Sequence, residues 1–414
     1  MKHLLRMIVL GLWALGMWEH RVASLWGDDW PQFRGPNGAA VSPEPAPLQW
    51  HDGEQPEQRA QIAWKVPLPG RGLSCPIVVG ERVFVTCSSG YRQDRLHVLC
   101  FAQADGRLLW ERQFWATGRT VTHPKTCVAA NTPVSDGQHV FAQFSSNDVL
   151  ALTLEGELLW TRGITLDYPN VSNSLGMAAS PVLAGRTLII PAENDSQSLT
   201  LGLDPATGRS RWVLERPRRA NWTTPAVLRG SRPEQDVVLL QSSAGLTAVA
   251  PDSGQILDNY TDGAATIPSA VVSQHVVYVP SHGITALAWP TESVHFERLW
   301  RGERLNPATP SPVVWRDKLY IVNGAGVLVC ANLATGQVVW QRRLEGPFTA
   351  SPVIAGHHLY LFNETGKGQV VDLSSDGGDV VGGGELHDTI LATPALSRGA
   401  LYVRSDRWLW KIAP

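Results

Sequence analysis

The side chains best suited to recognition chemistry gather in two irregular intervals of the chain. Between positions 113 and 130 stand Trp115, Arg119, His123 and Lys125, and between 163 and 179 stand Tyr168, Asn170 and Asn173. Two shorter runs, Tyr91-Arg92-Gln93-Asp94 and Glu193-Asn194-Asp195, have the same character. Aromatic faces, amides and separated charges stack and hydrogen-bond, so this mixture points to binding a partner or ligand. It does not point to a reaction. The 12 His and 5 Cys form no His-x-x-x-His and no Cys-x-x-Cys spacing, so the sequence supports no metal site. Ser, His and Asp are scattered without a nucleophile elbow. Asp376-Gly-Gly and Gly382-Gly-Gly-Glu lack the strand-to-helix setting of a phosphate loop. The pair His357-His358 reads as a surface hairpin turn.

What positions these residues is a repeat. Pro76, Pro133, Pro181, Pro225, Pro268, Pro312, Pro352 and Pro394 each mark a short strand start, at intervals of 57, 48, 44, 43, 44, 40 and 42 residues. A period of forty-odd residues with strand-like content signals a radial or stacked repeat. Ser351 to Phe362 reads as strand, glycine turn, strand; Val327 to Leu333 as a third strand; Val338 to Arg343, after Ala334-Thr-Gly-Gln, as a fourth. Short β-branched runs punctuated by Gly, Asn and Asp are hairpins. Four antiparallel strands per unit and eight units give an all-β, eight-bladed β-propeller. The last unit has only three strands, and Gln61 to Val66 is an isolated fourth strand that would close the ring and hide its open edges.

The outer turns carry a Gly-x-x-x-Trp spacing: Gly106/Trp110, Gly156/Trp160, Gly208/Trp212 and Gly336/Trp340, with Trp64 and Trp300 on the equivalent strand. A Trp ring laid on a neighbouring glycine turn buries a large area and staples blade to blade. Asp258 and Val381, four residues after Gly254 and Gly377, stand where Trp is expected, so those two contacts should be looser. Trp50, in the lead-in, is expected to contribute little, and Trp340 much.

The 414-residue chain has a net charge of -2 and 17% charged residues, against about 25% in an average protein. No basic surface suggests nucleic acid or anionic lipid as a partner. Lys2 and Arg6 precede an apolar run from Met7 to Trp18, and Val22-Ala23-Ser24 offers a small-residue cleavage site. This reads as an export signal over residues 1–24, with a retained anchor as the alternative. No Cys lies near the cleavage region, which argues against a lipid-anchored start. A Pro-rich lead-in (25–60) and the propeller (61–414) follow. Cys100 and Cys330 fill small apolar strand positions, and the spacing leaves open a Cys75–Cys127 bridge between neighbouring repeats.

These units resemble the pyrroloquinoline-quinone-type propeller repeat, found in BamB-like envelope proteins and in quinoprotein dehydrogenases. The resemblance covers about residues 60 to 414. Trp30-Pro-Gln-Phe-Arg-Gly-Pro-Asn-Gly and Thr122-His-Pro-Lys-Thr with Ala130-Asn-Thr-Pro-Val are similar to a group of exported planctomycete-type propellers. The resemblance implies two functional classes. A quinone enzyme would imply a funnel with calcium, carboxylate and amide ligands, a catalytic Asp and adjacent cysteines. This sequence has no Cys-Cys dipeptide, and the inner strand starts (Asn131-Thr132, Ala179-Ser180, Trp222-Thr223-Thr224, Ala308-Thr309, Thr349-Ala350, Leu391-Ala392) are mostly small and neutral. No catalytic, cofactor or metal residue is therefore assigned, and no bound quinone or calcium is expected. The expected role is a non-catalytic, exported scaffold of the periplasm or envelope that works with another envelope protein, its oligomeric state left open with a monomer favoured. Its membrane proximity would come through that partner. Surface Trp and Asn in the long loops leave carbohydrate binding as a further alternative. The candidate face is Trp115, Arg119, His123, Lys125, Tyr168, Asn170, Asn173, Asn194 and Asp195. The same loops would serve equally well merely to cover the funnel.

Overall fold

The computed structural model describes residues 29–414 apart from 54, 56–58, 173–174 and 290–294. The export signal expected over residues 1–24 lies outside the described residues. Eight four-stranded antiparallel sheets succeed one another along the chain and close into a ring, the eight-bladed propeller expected from the repeat. In the first blade the strands are Ile77–Val79, Arg82–Ser89, Arg95–Ala102 and Leu108–Trp115, from the innermost outward. The inner strands are buried on both faces, as in His358–Phe362 of the seventh blade. They therefore read as continuous apolar runs rather than as alternation. The outermost strands meet solvent along one face, as in Val338–Arg343. Among the described residues no helix is long and apolar enough to cross a membrane.

The eighth blade closes the ring. Its strands Ala395–Ser397, Ala400–Arg404 and Trp408–Ile412 are completed by Ile62–Pro67, with Lys65 opposite Trp410. The closure is reinforced by a buried carboxylate. Asp52 Oδ2 accepts Lys65 Nζ at 2.8 Å and Trp410 Nε1 at 3.0 Å. The Lys65 ammonium also lies 4.7 Å from the Trp408 ring centroid, a cation–π contact.

At the outer radius each blade lays its tryptophan on the next blade's glycine turn. A Cβ built on Gly106, Gly156, Gly208, Gly254, Gly336 or Gly378 would lie within 2.3–2.8 Å of Trp64, Trp110, Trp160, Trp212, Trp300 or Trp340 respectively. These glycines also have φ between +63° and +87°, where a side chain is strained, so both space and conformation demand glycine. Trp64, Trp110, Trp160, Trp212 and Trp300 each donate Nε1 to a carbonyl of the next blade at 2.7–3.1 Å.

Two junctions depart from this plan, and the structure fills both. In the fourth blade Asp258 occupies the tryptophan register, opposite Ala248. Its carboxylate accepts the Phe296 N–H of the fifth blade at 2.6 Å, so a hydrogen bond replaces a ring. In the seventh blade the turn glycine is Gly378, one residue later than the sequence spacing suggested. Val370 pairs with Gly382 across a bulge, which puts Gly382 rather than Val381 in the tryptophan register. The missing ring is supplied by the lead-in. Leu48 O would lie 2.0 Å from a Cβ on Gly382, and the Trp50 ring fills the space left by Gly368 and Gly384. Trp50 is only 5% exposed and lies 5.4 Å from Phe362, centroid to centroid. The expectation that Trp50 contributes little is thus overturned: three glycines in one blade make a slot that only an outside segment can fill.

The rest of the lead-in crosses one mouth of the central channel. Trp30 exchanges backbone hydrogen bonds with Val78 at 2.8 and 2.9 Å, and Ser135 N donates to Pro31 O at 2.9 Å. Arg34, 2% exposed, donates to Pro312 O on the far side of the ring. Burial lowers its pKa to about 10. Val41–Ser42 then pairs parallel to the innermost strand Val353–Ala355 and becomes a fifth strand of the seventh blade.

Trp50→Ala is expected to lower stability by about 3–5 kcal/mol, as for a buried aromatic. Trp340→Ala, whose ring is half-buried, should cost about 2–3 kcal/mol by the same loss of packing. Urea unfolding of the two variants beside the parent chain checks this. A Trp50→Ala midpoint equal to the parent's would show that the lead-in does not hold the seventh blade.

Candidate functional site

The channel wall is built from one residue per blade. At seven of the eight innermost strand starts the backbone N–H donates to a side-chain oxygen of the next blade. Cys75 donates to Thr132 (2.9 Å), Thr132 to Ser180 (2.9 Å), Ser180 to Thr224 (3.0 Å) and Thr224 to Ser269 (3.0 Å). Ser269 then donates to Ser311 (3.0 Å), Ser311 to Ser351 (2.9 Å) and Ser351 to Thr393 (2.9 Å). The circle closes where the Cys75 thiol meets Thr393. Six of the eight are Ser-Pro or Thr-Pro dipeptides, a signal present in the sequence but not read from it. In the fifth blade the matching pair is Ser269-Ala270, so Pro268 precedes the girdle residue instead of following it.

The cysteines are free and buried, and no Cys75–Cys127 bridge forms. Cys75 sits in the girdle, whereas Cys127 packs in an apolar cluster with Leu96, Val98 and Leu150. Burial raises the Cys75 thiol and pushes Cys127 up to about 12. Neither thiol is therefore poised to react.

The girdle encloses a blind well of about 380 Å³. Phe33 of the lead-in lies at its base, the eight girdle residues form the wall, and Leu73, His123, Lys125, Leu175, Trp222, Ile267 and Leu391 surround the rest. The wall is mostly hydroxyl and small, the rim mostly apolar, with one imidazole and one ammonium.

Of the sequence-assigned face, His123 and Lys125 reach this well. Their loop is anchored at both ends. Thr117 donates its N–H and Oγ1 to the Asp148 carboxylate at 3.0 and 2.6 Å, and Ser146 Oγ joins at 2.6 Å. Burial raises the Asp148 pKa against the pull of these hydrogen bonds. At the other end Val128 N donates to Gln93 Oε1 at 3.2 Å and Ser145 N to Val128 O at 2.8 Å. Between these anchors His123 N donates to Leu175 O at 3.0 Å, joining the two long loops, and Trp222 Nε1 donates to Gly176 O at 2.8 Å. Lys125 crosses to the seventh blade, with Nζ 2.9 Å from both oxygens of Glu364, which also accepts Thr349 Oγ1 at 2.8 Å. The mouth is thus spanned by an ion pair between partners 239 positions apart.

The other assigned residues are distributed differently. Trp115 is 66% exposed, with the Arg95 guanidinium stacked 4.9 Å from its ring centroid. Arg119 and Asn170 are exposed, and Tyr168 is half-buried against the cluster between the second and third blades. Asn194 is fully buried and binds its own loop, donating to Ala192 O and Gln197 O and accepting Ser196 N. It presents no group to the surface, while Asp195 beside it is exposed. Asn173 lies outside the described residues. Glu193, read in the sequence as part of a recognition run, is instead buried in a polar network. It accepts Arg216 Nε at 2.7 Å, Thr200 Oγ1 at 2.9 Å and Asn221 Nδ2 at 2.9 Å, tying the third blade to the fourth.

Comparison with known proteins agrees with this architecture. The family described as outer membrane protein assembly factor BamB matches residues 57–194, 169–381 and 334–412. The chain is 24% identical to the outer membrane protein assembly factor BamB of Yersinia pestis over 322 residues, 76% of this chain and 69% of that protein. Among solved structures, BamB from Moraxella catarrhalis superimposes with a TM-score of 0.60 at 15% identity, covering 85% of this chain and 97% of that one. A europium-containing methanol dehydrogenase superimposes with a TM-score of 0.68 at 11% identity, covering 94% and 98%. At these identities the two structures share the fold and nothing finer.

The girdle makes its own test. Ser311→Ala removes the acceptor of the buried Ser269 N–H and should destabilise by about 1–3 kcal/mol. Ser311→Thr keeps the oxygen, as three other blades do, and should change stability by less than about 1 kcal/mol. Guanidinium unfolding separates the two. Equal losses would assign the effect to packing rather than to the hydrogen bond.

Proposed function

We propose, from the premise that this chain belongs to the family of the outer membrane protein assembly factor BamB, that it is a non-catalytic interaction scaffold of the cell envelope. It engages another envelope protein through the loop face around the well. The observation that carries this reading is the pairing of a rigid, doubly stapled ring with anchored loops that hold large side chains out. Trp115 keeps two-thirds of its surface exposed on the outermost strand of its blade, beside a loop whose Arg119, His123 and Lys125 are also exposed. Exposed aromatic and cationic side chains on a pre-formed surface are the usual anchors of a protein interface, and loops on a rigid scaffold are where binding residues concentrate.

The donor set of the well also favours binding over quinone chemistry. A quinone carrying carboxylates requires Arg or Lys clamps, and its calcium takes six to eight oxygens, commonly with carboxylates. Among the described residues that line the well there is no carboxylate, no amide and no arginine, and its one ammonium is bound by Glu364. Seven girdle oxygens already accept a backbone N–H each. The residues present do not fit that group, so no reaction step is assigned to it.

A photo-reactive amino acid placed at position 115 or 119 in the native envelope should give one discrete adduct with another envelope protein. The same group at position 234, in a turn on the opposite face, should give none. Trp115→Ala with Lys125→Ala should reduce co-purification of that partner at least about tenfold with an unchanged melting temperature, since exposed side chains contribute little to folding. Equal crosslinking from both faces would overturn the scaffold reading. So would quinone-dependent dye reduction after addition of quinone with calcium, which would establish the dehydrogenase alternative.

A further inference from the structure

On the face covered by the lead-in, away from the well, the first hairpin of the seventh blade turns at Gly356. The next two residues, His357 and His358, stack their imidazoles with ring centroids 4.0 Å apart. Neighbouring residues in a flat strand point to opposite faces. Here the turn, with Gly356 at φ +60°, brings both rings to one side. Asp372, at the end of the third strand, pairs directly with His358. One ligand atom from each of His357, His358 and Asp372 lies within 4.8 Å of the others. Asp372 is oriented by Ser374, whose N–H and Oγ both donate to Oδ1, at 2.8 and 2.6 Å.

A second observation points to a missing partner at this place. His358 is 9% exposed, and its Nδ1 is buried without a hydrogen-bond partner. A buried polar atom left unpaired costs about 1–3 kcal/mol, and most such atoms in folded proteins have a partner.

We propose that His357, His358 and Asp372 form a binding site for a borderline divalent transition cation of the zinc, nickel or copper class. Two imidazoles and one carboxylate suit those ions and not magnesium or calcium, which prefer all-oxygen shells. A cation at about 2.0–2.2 Å from each ligand requires the three groups to draw together by about an ångström. The exposed His357 can do this by rotamer adjustment, while Asp372 is held by Ser374. Three protein ligands leave at least one coordination position open, for water or for a donor from a second molecule.

Isothermal titration of zinc chloride into untagged, chelator-treated full-length protein should show one equivalent bound, and nickel should compete. His357→Ala and Asp372→Asn, both near the surface, should each weaken that binding by at least about tenfold, the lower bound even for changes outside the ligand shell. Their melting temperatures without metal should match the parent's. Three results would overturn the site: no zinc bound at all, one equivalent bound undiminished in both variants, or calcium binding as tightly as zinc.

Discussion

A propeller brings eight strand ends to one axis, and each end carries a backbone N–H that the neighbouring strand of its own blade does not satisfy. An unpaired buried N–H is costly, so the acceptor must come from elsewhere. In this protein it comes from the side chain one blade on, at distances of 2.9–3.0 Å around the circle. The proline that follows in most blades removes the next donor altogether, so each start needs only one acceptor. The girdle therefore explains both halves of the Ser/Thr-Pro dipeptide. It also makes closure cooperative: each blade is satisfied only when its successor is in place, and the first blade is the successor of the eighth.

The outer radius obeys a parallel rule with different chemistry. Tryptophan rings bear on glycine turns of the following blade, and the exceptions show what the rule is for. Asp258 keeps the junction with a carboxylate and a backbone N–H. At Gly382 the junction is kept by Leu48 and Trp50 from the lead-in. That segment thus does three jobs before the first strand of the ring begins. It floors the channel with Phe33, adds a strand at Val41–Ser42, and fills the gap between the seventh and eighth blades. Deleting it as a disposable leader would open the well at its base and leave the three-glycine slot of the seventh blade empty.

Most of the fold was legible because a period near forty-odd residues constrains the chain globally. The blade count, the closing strand and the tryptophan positions all follow from spacing. What spacing could not give was register within a blade. The outer turn of the seventh blade is longer, with twelve positions from Val370 to its partner Gly382 against ten from Cys330 to Trp340, so the tryptophan slot falls at Gly382 rather than Val381. Trp50 was misjudged for a related reason. Its burial depends on Gly368 and Gly384, more than 300 positions later, and long-range complementarity of this kind has no local periodicity. The site was legible only in part. His123 and Lys125 were placed by loop length, but the buried role of Asn194 depends on a turn that bonds to itself, and the ligand set at His357 depends on a cross-strand partner at Asp372.

The same geometry that builds the ring limits where its function can reside. A wall position in an eight-fold circle must hold a small acceptor, because a larger or charged side chain there would lose the hydrogen bond to its neighbour and meet seven others across the axis. The wall is thus committed to structure. Variation is cheap only where the chain leaves the blades: in the connections between an outermost strand and the next innermost one, and in the hairpin turns. The longest intervals between strand starts, 57 and 48 residues, end in the two loops that His123 and Leu175 join over the well. Anchors such as Asp148 and Gln93 hold the first of those loops at its ends, and His123 and Lys125 tie its middle to Leu175 and Glu364. None of these contacts uses a girdle oxygen or a blade-docking tryptophan, so the middle of the loop can change without disturbing either. Sequence change in these loops is therefore compatible with an unchanged fold.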